Sequence, residues 1–276
     1  MLEALRRQLS ESLFERVAGP EREKHARRIH ETPGPRMFAD DRPIRHVHAD
    51  HAMFIGGLRA LLLQSLHPLA MAAVAQHSDY RTDPWGRLQR TSLFIGVTTY
   101  GTVADAQKAI ARLGRVHEHI HGTAPDGRQY RADDPHLLAW VHVAEVDSFM
   151  RCHRKYGEKP LDDYDEYVAD MAVIGEALGV VDPPRTTAEL EARLDSYRPE
   201  LKSTHDAREA ARFLLLKAPL PVLARGPYAI LSATAVASLP VWARIPLRLP
   251  YLPIAEATGV RLAGHALMRG LRWVTG

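Results

Sequence analysis

Histidine is the residue type with the most scope for chemistry in this sequence. The chain of 276 residues contains 15 histidines but a single cysteine, Cys152. Zinc and iron–sulfur sites built from thiolates need several cysteines, so a metal here points to imidazole ligands. Cys152 falls inside a predicted helix, where a nucleophile is badly placed to reach a substrate. Histidines that share a helix face are therefore the first candidates for a site.

One short stretch, Val116-His117-Glu118-His119-Ile120-His121-Gly122, holds three histidines. If it is helical, His117 and His121 lie on one face because they are four residues apart, and His119 points elsewhere. Such a pair can chelate a transition metal, or it can make a favourable contact with the C-terminal end of the helix dipole. His142 lies among apolar residues of another predicted helix, where it is either a hydrogen-bonded core residue or a further candidate ligand.

Two arginines and a threonine share a face of a third predicted helix. Arg87, Arg90 and Thr91 stand at positions i, i+3 and i+4, so their side chains project from the same side. Placed over a haem, these groups would donate hydrogen bonds to dioxygen or to a propionate. The other interpretation is that the arginines form ion pairs with Asp79 and Asp83 in the preceding turn. The residues alone leave both interpretations open.

The elements that position these side chains are predicted to be helices. Apolar residues recur at helical spacing along nearly the whole chain, and we find no strand alternation bounded by Asn-Gly or Asp-Gly turns, so the class is all-α. Thr102 should cap the helix that contains His117, with Gly122 just past its end. Asp134 and Pro135 should open the helix that contains His142, and Gly157 should close it.

The remaining elements follow from proline, glycine and capping signals. We predict an N-terminal helix and arm over residues 1–50, irregular from 19, packed on a single helical domain over 51–276. Further helices are predicted over 3–18, over 57–77 with a kink at Pro68, over 87–100, over 161–178, from the capping box at Thr186, over 206–217 and over 254–273. Between 219 and 253, seven prolines predict short, broken helices.

Composition and charge narrow the class of partner. The chain is 46% hydrophobic and 25% charged, which fits a folded domain rather than a disordered one. Residues 219–276 contain six arginines and a single acid, Glu256, which favours peripheral contact with a membrane or an anionic ligand. The apolar stretch 226–243 is only just long enough to span a bilayer and contains two prolines. We find no nucleic-acid motif and no secretory signal, and we expect a cytoplasmic, membrane-associated protein.

Several motifs together resemble a bacterial family of MpaB-like oxygenases related to latex clearing protein, the rubber oxygenase. This family was long described as a domain of unknown function, and the resemblance spans about residues 50 to 260. The motifs that carry it are Leu66-His67-Pro68, His77-Ser78-Asp79-Tyr80-Arg81, Asp83-Pro84-Trp85-Gly86-Arg87-Leu88-Gln89-Arg90-Thr91, the stretch Val116 to Gly122, and Trp140-Val141-His142-Val143-Ala144-Glu145-Val146-Asp147-Ser148.

The resemblance implies a single globin-like or orthogonal bundle of about eight or more helices that binds haem b. In that family a proximal histidine, in a helix after the distal stretch, ligates the iron. The sequence around it is most similar to Val116-His117, so the resemblance implies this role for His117, with His142 and His121 as alternatives. The stretch Arg87-x-x-Arg90-Thr91 is similar to an Arg-x-x-Lys-Thr stretch on the distal side of the haem, with Arg90 in place of the lysine. These three residues would act on dioxygen, and Arg87 would also contact the cofactor.

The resemblance further implies an oxygenase that adds oxygen across an alkene in a small hydrophobic molecule, such as an isoprenoid or lipid. Polymeric rubber is a poor fit for a protein without an export signal. Two alternatives remain: a haem-binding sensor or carrier without turnover, and a haem-free helical binding protein.

Overall fold

Helices make up almost all of the regular structure in the computed structural model, which describes residues 2–275. The predicted all-α class is confirmed. Two short antiparallel strands form one hairpin, β1 (His121–Thr123) and β2 (Gln129–Arg131), and three turns of other helical types are Arg198–Glu200 (3-10), Phe213–Lys217 (π) and Glu256–Val260 (π). The α-helices are α1 (Leu2–Ala18), α2 (Arg22–Glu31), α3 (Pro43–Ala49), α4 (Ala52–Gln64), α5 (Pro68–His77), α6 (Pro84–Tyr100), α7 (Val103–Glu118), α8 (Pro135–Tyr156), α9 (Asp165–Ala177), α10 (Thr187–Tyr197), α11 (His205–Arg212), α12 (Val222–Ser238), α13 (Val241–Leu247), α14 (Pro253–Ala255) and α15 (Arg261–Thr275).

The helices that carry the candidate site begin where their caps predict. The Thr102 hydroxyl accepts the backbone N–H of Asp105 at 3.2 Å and starts α7. The Asp134 carboxylate accepts the N–H of His136 at 2.9 Å and starts α8, which ends at Gly157 as predicted. Each cap satisfies one of the N–H groups that the first turn of a helix leaves without a partner.

The predicted kink at Pro68 is a complete break. Helix α4 ends at Gln64, and α5 starts at Pro68 after a bend of 107°. His67, with ψ 115°, has the extended backbone expected of a residue before proline, and its ring accepts the N–H of Ala70. The expectation of one helix over 57–77 was therefore wrong, because the break lets two apolar helices run in different directions.

The expectation of an irregular segment from 19 to 50 was also wrong in part. Helix α2 and helix α3 both lie in this segment. Pro43 occupies the first turn of α3, whose Ile44 and Val47 are fully buried in the main core. A short amphipathic helix is thus ordered by packing rather than by its own propensity.

The sequence analysis did not predict the β-hairpin formed by β1 and β2. Gly127 follows Asp126 in a turn with φ 86°, a conformation that favours glycine, and the strands on either side pair from His121 with Arg131 to Thr123 with Gln129. The Asp-Gly signal was present in the sequence, but the flanking strands have only three residues each. Helix α7 consequently ends at Glu118, and His121 is not on it.

The tail differs from the predicted short helices because α12 continues for 17 residues through Pro227. The carbonyl that Pro227 leaves without an N–H partner belongs to Leu223, a residue 87% exposed, so water can satisfy it. Three other predicted helices have different bounds in the structure. The helix predicted over 161–178 is the shorter α9, and the one predicted over 206–217 is α11 followed by a π turn. The helix predicted over 254–273 consists of α14, a second π turn and α15.

Helices α4 and α8 pack along each other at the centre of the molecule. A side chain at Gly56 would come within 2.9 Å of the Phe149 ring, so the two helices approach closely at this point. Arg59 and Asp147 form an ion pair of 2.7 Å between them, with both side chains almost fully buried. The central helix pair is therefore held by apolar packing and by a charge pair that excludes water.

Within residues 2–275 no single helix is long and apolar enough to cross a membrane. Two bent pairs pass on length and composition, α4 with α5 and α12 with α13, the second bent by 119°.

Candidate functional site

Arg87 and His117 lie on two neighbouring helices, α6 and α7, which are joined by a short turn. Helices α6 and α7 pack on each other and are joined only by Gly101 and Thr102, so they run in opposite directions. Arg87 lies about 21 Å before this turn along α6, and His117 about 22 Å beyond it along α7, at 1.5 Å per residue. Arg87 therefore lies in the first turns of α6 and His117 in the last turn of α7, each far along its helix from the connecting turn.

Arg87 is withdrawn from water without an acidic partner. Its side chain is half-buried, and burial lowers the pKa of its guanidinium, while the Tyr80 hydroxyl acts in the other direction. In the described part of the chain it forms no hydrogen bond or ion pair. The Tyr80 hydroxyl beside it is also buried and has no hydrogen-bond partner there. A desolvated cation next to an unpartnered hydroxyl is suited to receive an anionic or oxygen-rich group.

His117 has the form that a metal ligand needs. Burial lowers the pKa of its imidazole, and the carboxylate of Asp133 only partly opposes this effect. The ring is half-buried, and no hydrogen bond to another described residue occupies its nitrogens. A neutral imidazole with a free lone pair is the species that coordinates metal ions. Asp133 also shows that the start of α8 lies close to the end of α7.

Arg90 and Thr91 do not join Arg87. Both are exposed, and Arg90 forms an ion pair of 3.2 Å with Asp83. The Thr91 hydroxyl donates to the Arg87 carbonyl at 3.0 Å within the helix. Asp83 also caps α6 through the N–H of Gly86. The structure thus places Arg90 in an ion pair, as the second interpretation of this stretch expected. The roles of Arg90 and Thr91 toward dioxygen stay predictions.

The neighbouring histidines are in different environments. His121 is an exposed strand residue, and the His119 ring contacts the carbonyl of Arg115 at 2.6 Å. His117 and His121 do not share a helix face, because α7 ends between them. Of the three, His117 has the ring that is both sheltered and free.

His142 and Glu145 form a second sheltered polar pair on α8. The His142 ring lies against Gly175, where any side chain would approach it to 2.9 Å. Burial lowers the pKa of His142 to about 4, and its Nε2 has no hydrogen-bond partner in the described structure. Burial also raises the pKa of Glu145 to about 7, and its charge acts on Tyr167 of α9. Glu145 was not among the predicted site residues, although its position three residues after His142 was a usable signal.

A protein binds haem b through an iron ligand, which can be a histidine nitrogen, through apolar contacts and through hydrogen-bond donors for the propionates. Residues of α6, of α7 and of the turn before α6 fit these needs. His117 offers the nitrogen, and Arg87 and Tyr80 offer unpaired donors. Phe94 and Ile95, half-buried further along α6, pack against the main core.

Comparison with known proteins gives one match. A family model described as the catalytic domain of the ER-bound oxygenases mpaB/B' and rubber oxygenase matches residues 45–273. Searches of curated proteins and of solved structures found no match. Since the match covers most of the chain, and the residues that carried the resemblance lie within it, the protein belongs to the mpaB/rubber oxygenase family and is an oxygenase.

Proposed function

We propose that this protein is a haem b-dependent oxygenase that acts on a hydrophobic, alkene-containing small molecule of the isoprenoid or lipid class. The observation that carries the proposal is that His117 and Arg87 are both sheltered from water without a partner among the described residues. They lie on two helices, α7 and α6, that pack on each other and are joined by a short turn.

Each residue has a role in this proposal that follows from its surroundings. His117 would hold the iron through an imidazole nitrogen, and Arg87 and the Tyr80 hydroxyl would provide hydrogen-bond donors to the cofactor. When bound, the haem supplies the activation of dioxygen. Glu145, whose pKa is about 7, can hold or release a proton near neutral pH. His142 is the alternative ligand, because its Nε2 is buried and free.

The substrate class is supported by the family and by the surface. The matching family includes a rubber oxygenase, and rubber is an unsaturated hydrocarbon. Several large apolar side chains in the C-terminal part of the chain are exposed, among them Leu216, Leu223 and Ile254, each at least 80% accessible. Such side chains favour contact with apolar material.

The decisive experiment combines haem content with oxygen uptake. The protein is expressed with a haem precursor and assayed by the pyridine haemochrome method, and oxygen consumption is then followed with a panel of prenylated lipids and isoprenoid alcohols. The proposal expects about one haem per chain and substrate-dependent uptake. Haem without uptake would count against the proposed substrate class, and an absence of haem would overturn the proposed haem dependence.

Replacing Arg87 by alanine is expected to leave haem binding intact but to weaken the oxygen complex. The guanidinium is the sheltered donor of the site, and loss of one such donor costs roughly tenfold or more. The measurement is the autoxidation rate of the reduced protein in air, which should rise. Arg90→Ala is the matched control, since Arg90 is exposed and paired with Asp83. Equal rates in wild type and Arg87→Ala would remove Arg87 from the site.

We also propose peripheral contact with an anionic membrane through the 245–254 segment. Ile245, Leu252 and Ile254 expose 68%, 59% and 82% of their surface. Both ends of the segment are held, because the buried Arg244 pairs with Glu256 at 2.7 Å. Glu256 is the single acid of residues 219–276, which contain six arginines, so the stretch that holds these apolar side chains is basic in sequence. This combination is typical of proteins that insert apolar side chains among anionic headgroups.

Co-sedimentation with vesicles tests the contact. Wild type should bind phosphatidylglycerol-containing vesicles better than pure phosphatidylcholine vesicles. Ile254→Ser should weaken this binding about tenfold, because one large apolar side chain no longer leaves water. Val181→Ser is the control, since Val181 is 60% exposed but lies far from the basic tail in sequence. Binding that Ile254→Ser leaves unchanged, or no binding to either vesicle, would contradict the proposal.

A further inference from the structure

Two histidines and a glutamate from separate parts of the chain converge in a cluster that does not include Arg87 or His117. Donor atoms of His67, His136 and Glu200 all lie within 4.8 Å of one another. The His136 Nε2 is 2.9 Å from a Glu200 carboxylate oxygen, and the His67 Nε2 is 3.5 Å from the same oxygen. None of the three was a predicted site residue, although His67 stands in the Leu-His-Pro motif.

His67 carries the strongest indication that something is missing from this group. Its side chain is only 2% exposed, and its Nε2 is a buried atom without a hydrogen-bond partner in the described structure. The ring sits at the break between α4 and α5, where the backbone is fixed by Pro68. A rigid, buried ring that directs a nitrogen at a carboxylate is a costly arrangement unless a proton or a cation fills the gap.

The other two donors are held in place from different directions. Glu200 ends the 3-10 turn that follows α10, and the adjoining chain is tied back by a 2.8 Å hydrogen bond from Lys202 N–H to the Leu66 carbonyl. His136 is the second residue of α8. Glu200 remains 41% exposed, so an ion can enter from solvent.

The ring of His136 is already oriented as in many metal sites. The Tyr197 hydroxyl donates to the His136 carbonyl at 2.8 Å and lies 3.5 Å from the His136 Nδ1. When an ion occupies Nε2, the hydroxyl oxygen can therefore accept from Nδ1–H, which keeps Nε2 turned toward Glu200. A partner that fixes the non-ligating nitrogen in this way is typical of metal-bound histidine.

We propose that His67, His136 and Glu200 bind one divalent transition-metal ion, of the zinc or ferrous-iron class, with further coordination positions open to solvent. Two imidazoles and one carboxylate form the ligand set of many catalytic zinc sites and of mononuclear non-haem iron sites. This site shares no residue with the proposed haem site, so the metal-site proposal does not depend on the haem proposal.

The proton balance of binding is specific. Without metal, both Nε2 atoms need protons to face the carboxylate. In each neutral ring the proton moves from Nε2 to Nδ1 when Nε2 binds the ion, so these two rings release no proton to solvent. His67 Nδ1 then stops accepting the Ala70 N–H, a long hydrogen bond of 3.4 Å. The exchange replaces one weak helix-cap contact by a coordinate bond.

Metal titration of the full chain tests the site without reference to activity. The protein is stripped with a chelator and titrated with zinc by calorimetry, with ferrous iron under anaerobic conditions, and with cobalt, whose visible spectrum reports coordination. We expect one ion per chain, with tighter binding of zinc than of magnesium.

Variants locate the ion. His136→Ala and Glu200→Gln should each weaken zinc binding about 100-fold or more, because a three-ligand site loses a ligand. Tyr197→Phe should weaken it about tenfold as a change to a positioning residue. His205→Ala is the control, since His205 is exposed and lies 3.6 Å from the Asp206 carboxylate, an equally simple histidine–acid pair.

Three results would overturn the proposal: no stoichiometric ion in wild type, unchanged affinity in both His136→Ala and Glu200→Gln, or an equal loss in His205→Ala. Because His136 and Glu200 are partly exposed, their replacement leaves the core intact, and circular dichroism confirms folding. His67→Ala adds a buried-ligand variant. His117→Ala should bind zinc like wild type, which separates failure of this site from failure of the proposed haem site.

Discussion

Replacing His117 by alanine is expected to abolish stoichiometric haem binding while the helical fold remains. The ring is the sheltered, free imidazole of α7, so its loss removes the axial ligand. Since no described residue hydrogen-bonds to it, the fold loses little. Haem content by pyridine haemochrome should fall to less than about a tenth of wild type, with an unchanged far-ultraviolet circular dichroism spectrum.

The same stretch supplies two matched controls. His119→Ala and His121→Ala remove a ring bonded to a backbone carbonyl and an exposed strand residue, respectively. Both should keep full haem content. Retained haem with an unchanged Soret band in His117→Ala would move the ligand to His142 or His121. The His142→Ala variant would then decide between these two.

Removing the buried guanidinium of Arg59 is expected to cost more stability than any surface change. Arg59 pairs with Asp147 at 2.7 Å, donates to the Ser148 hydroxyl at 2.6 Å and reaches the Ser238 carbonyl at 3.0 Å. In Arg59→Leu, Asp147 keeps only Arg151, at 2.6 Å, as its cationic partner. Leaving a buried charge underpaired lowers the free energy of unfolding by about 3–5 kcal/mol.

Urea unfolding followed by circular dichroism measures this loss. Arg59→Lys keeps a cation near Asp147 and should recover part of the stability. Arg128→Leu is the control, because its ion pair with Asp126 is about half exposed on both sides and such pairs contribute about 1 kcal/mol or less. A loss below that value in Arg59→Leu would show that the central pair contributes nothing net.

Features that depend on neighbouring residues could be predicted from the sequence. The caps at Thr102 and Asp134 act over two or three residues, so α7 and α8 begin where they should. The motifs around Arg87 and His117 identified the family. Capping hydrogen bonds and helical periodicity involve residues that are close in sequence, so they can be predicted without knowledge of the fold.

Features that depend on packing between distant segments needed the structure. Helix α3 forms because Ile44 and Val47 are buried in the core, and the break at Pro68 follows from the directions in which α4 and α5 can bury their apolar faces. Whether an arginine is free is also a matter of surroundings. Arg87 and Arg90 are only three residues apart. Arg87 is partly buried without an acidic partner, whereas Arg90 is exposed and forms an ion pair with Asp83.

The convergence of His67, His136 and Glu200 is the clearest case. These residues are separated by 69 and 64 positions along the chain, and no local pattern connects them. Their donor atoms meet because α5 starts, α8 starts and the turn after α10 ends in the same place. The sequence shows the types of side chain available for chemistry, while the folding of distant segments onto one core determines which of them lie together, which are shielded from water and which are left without a partner.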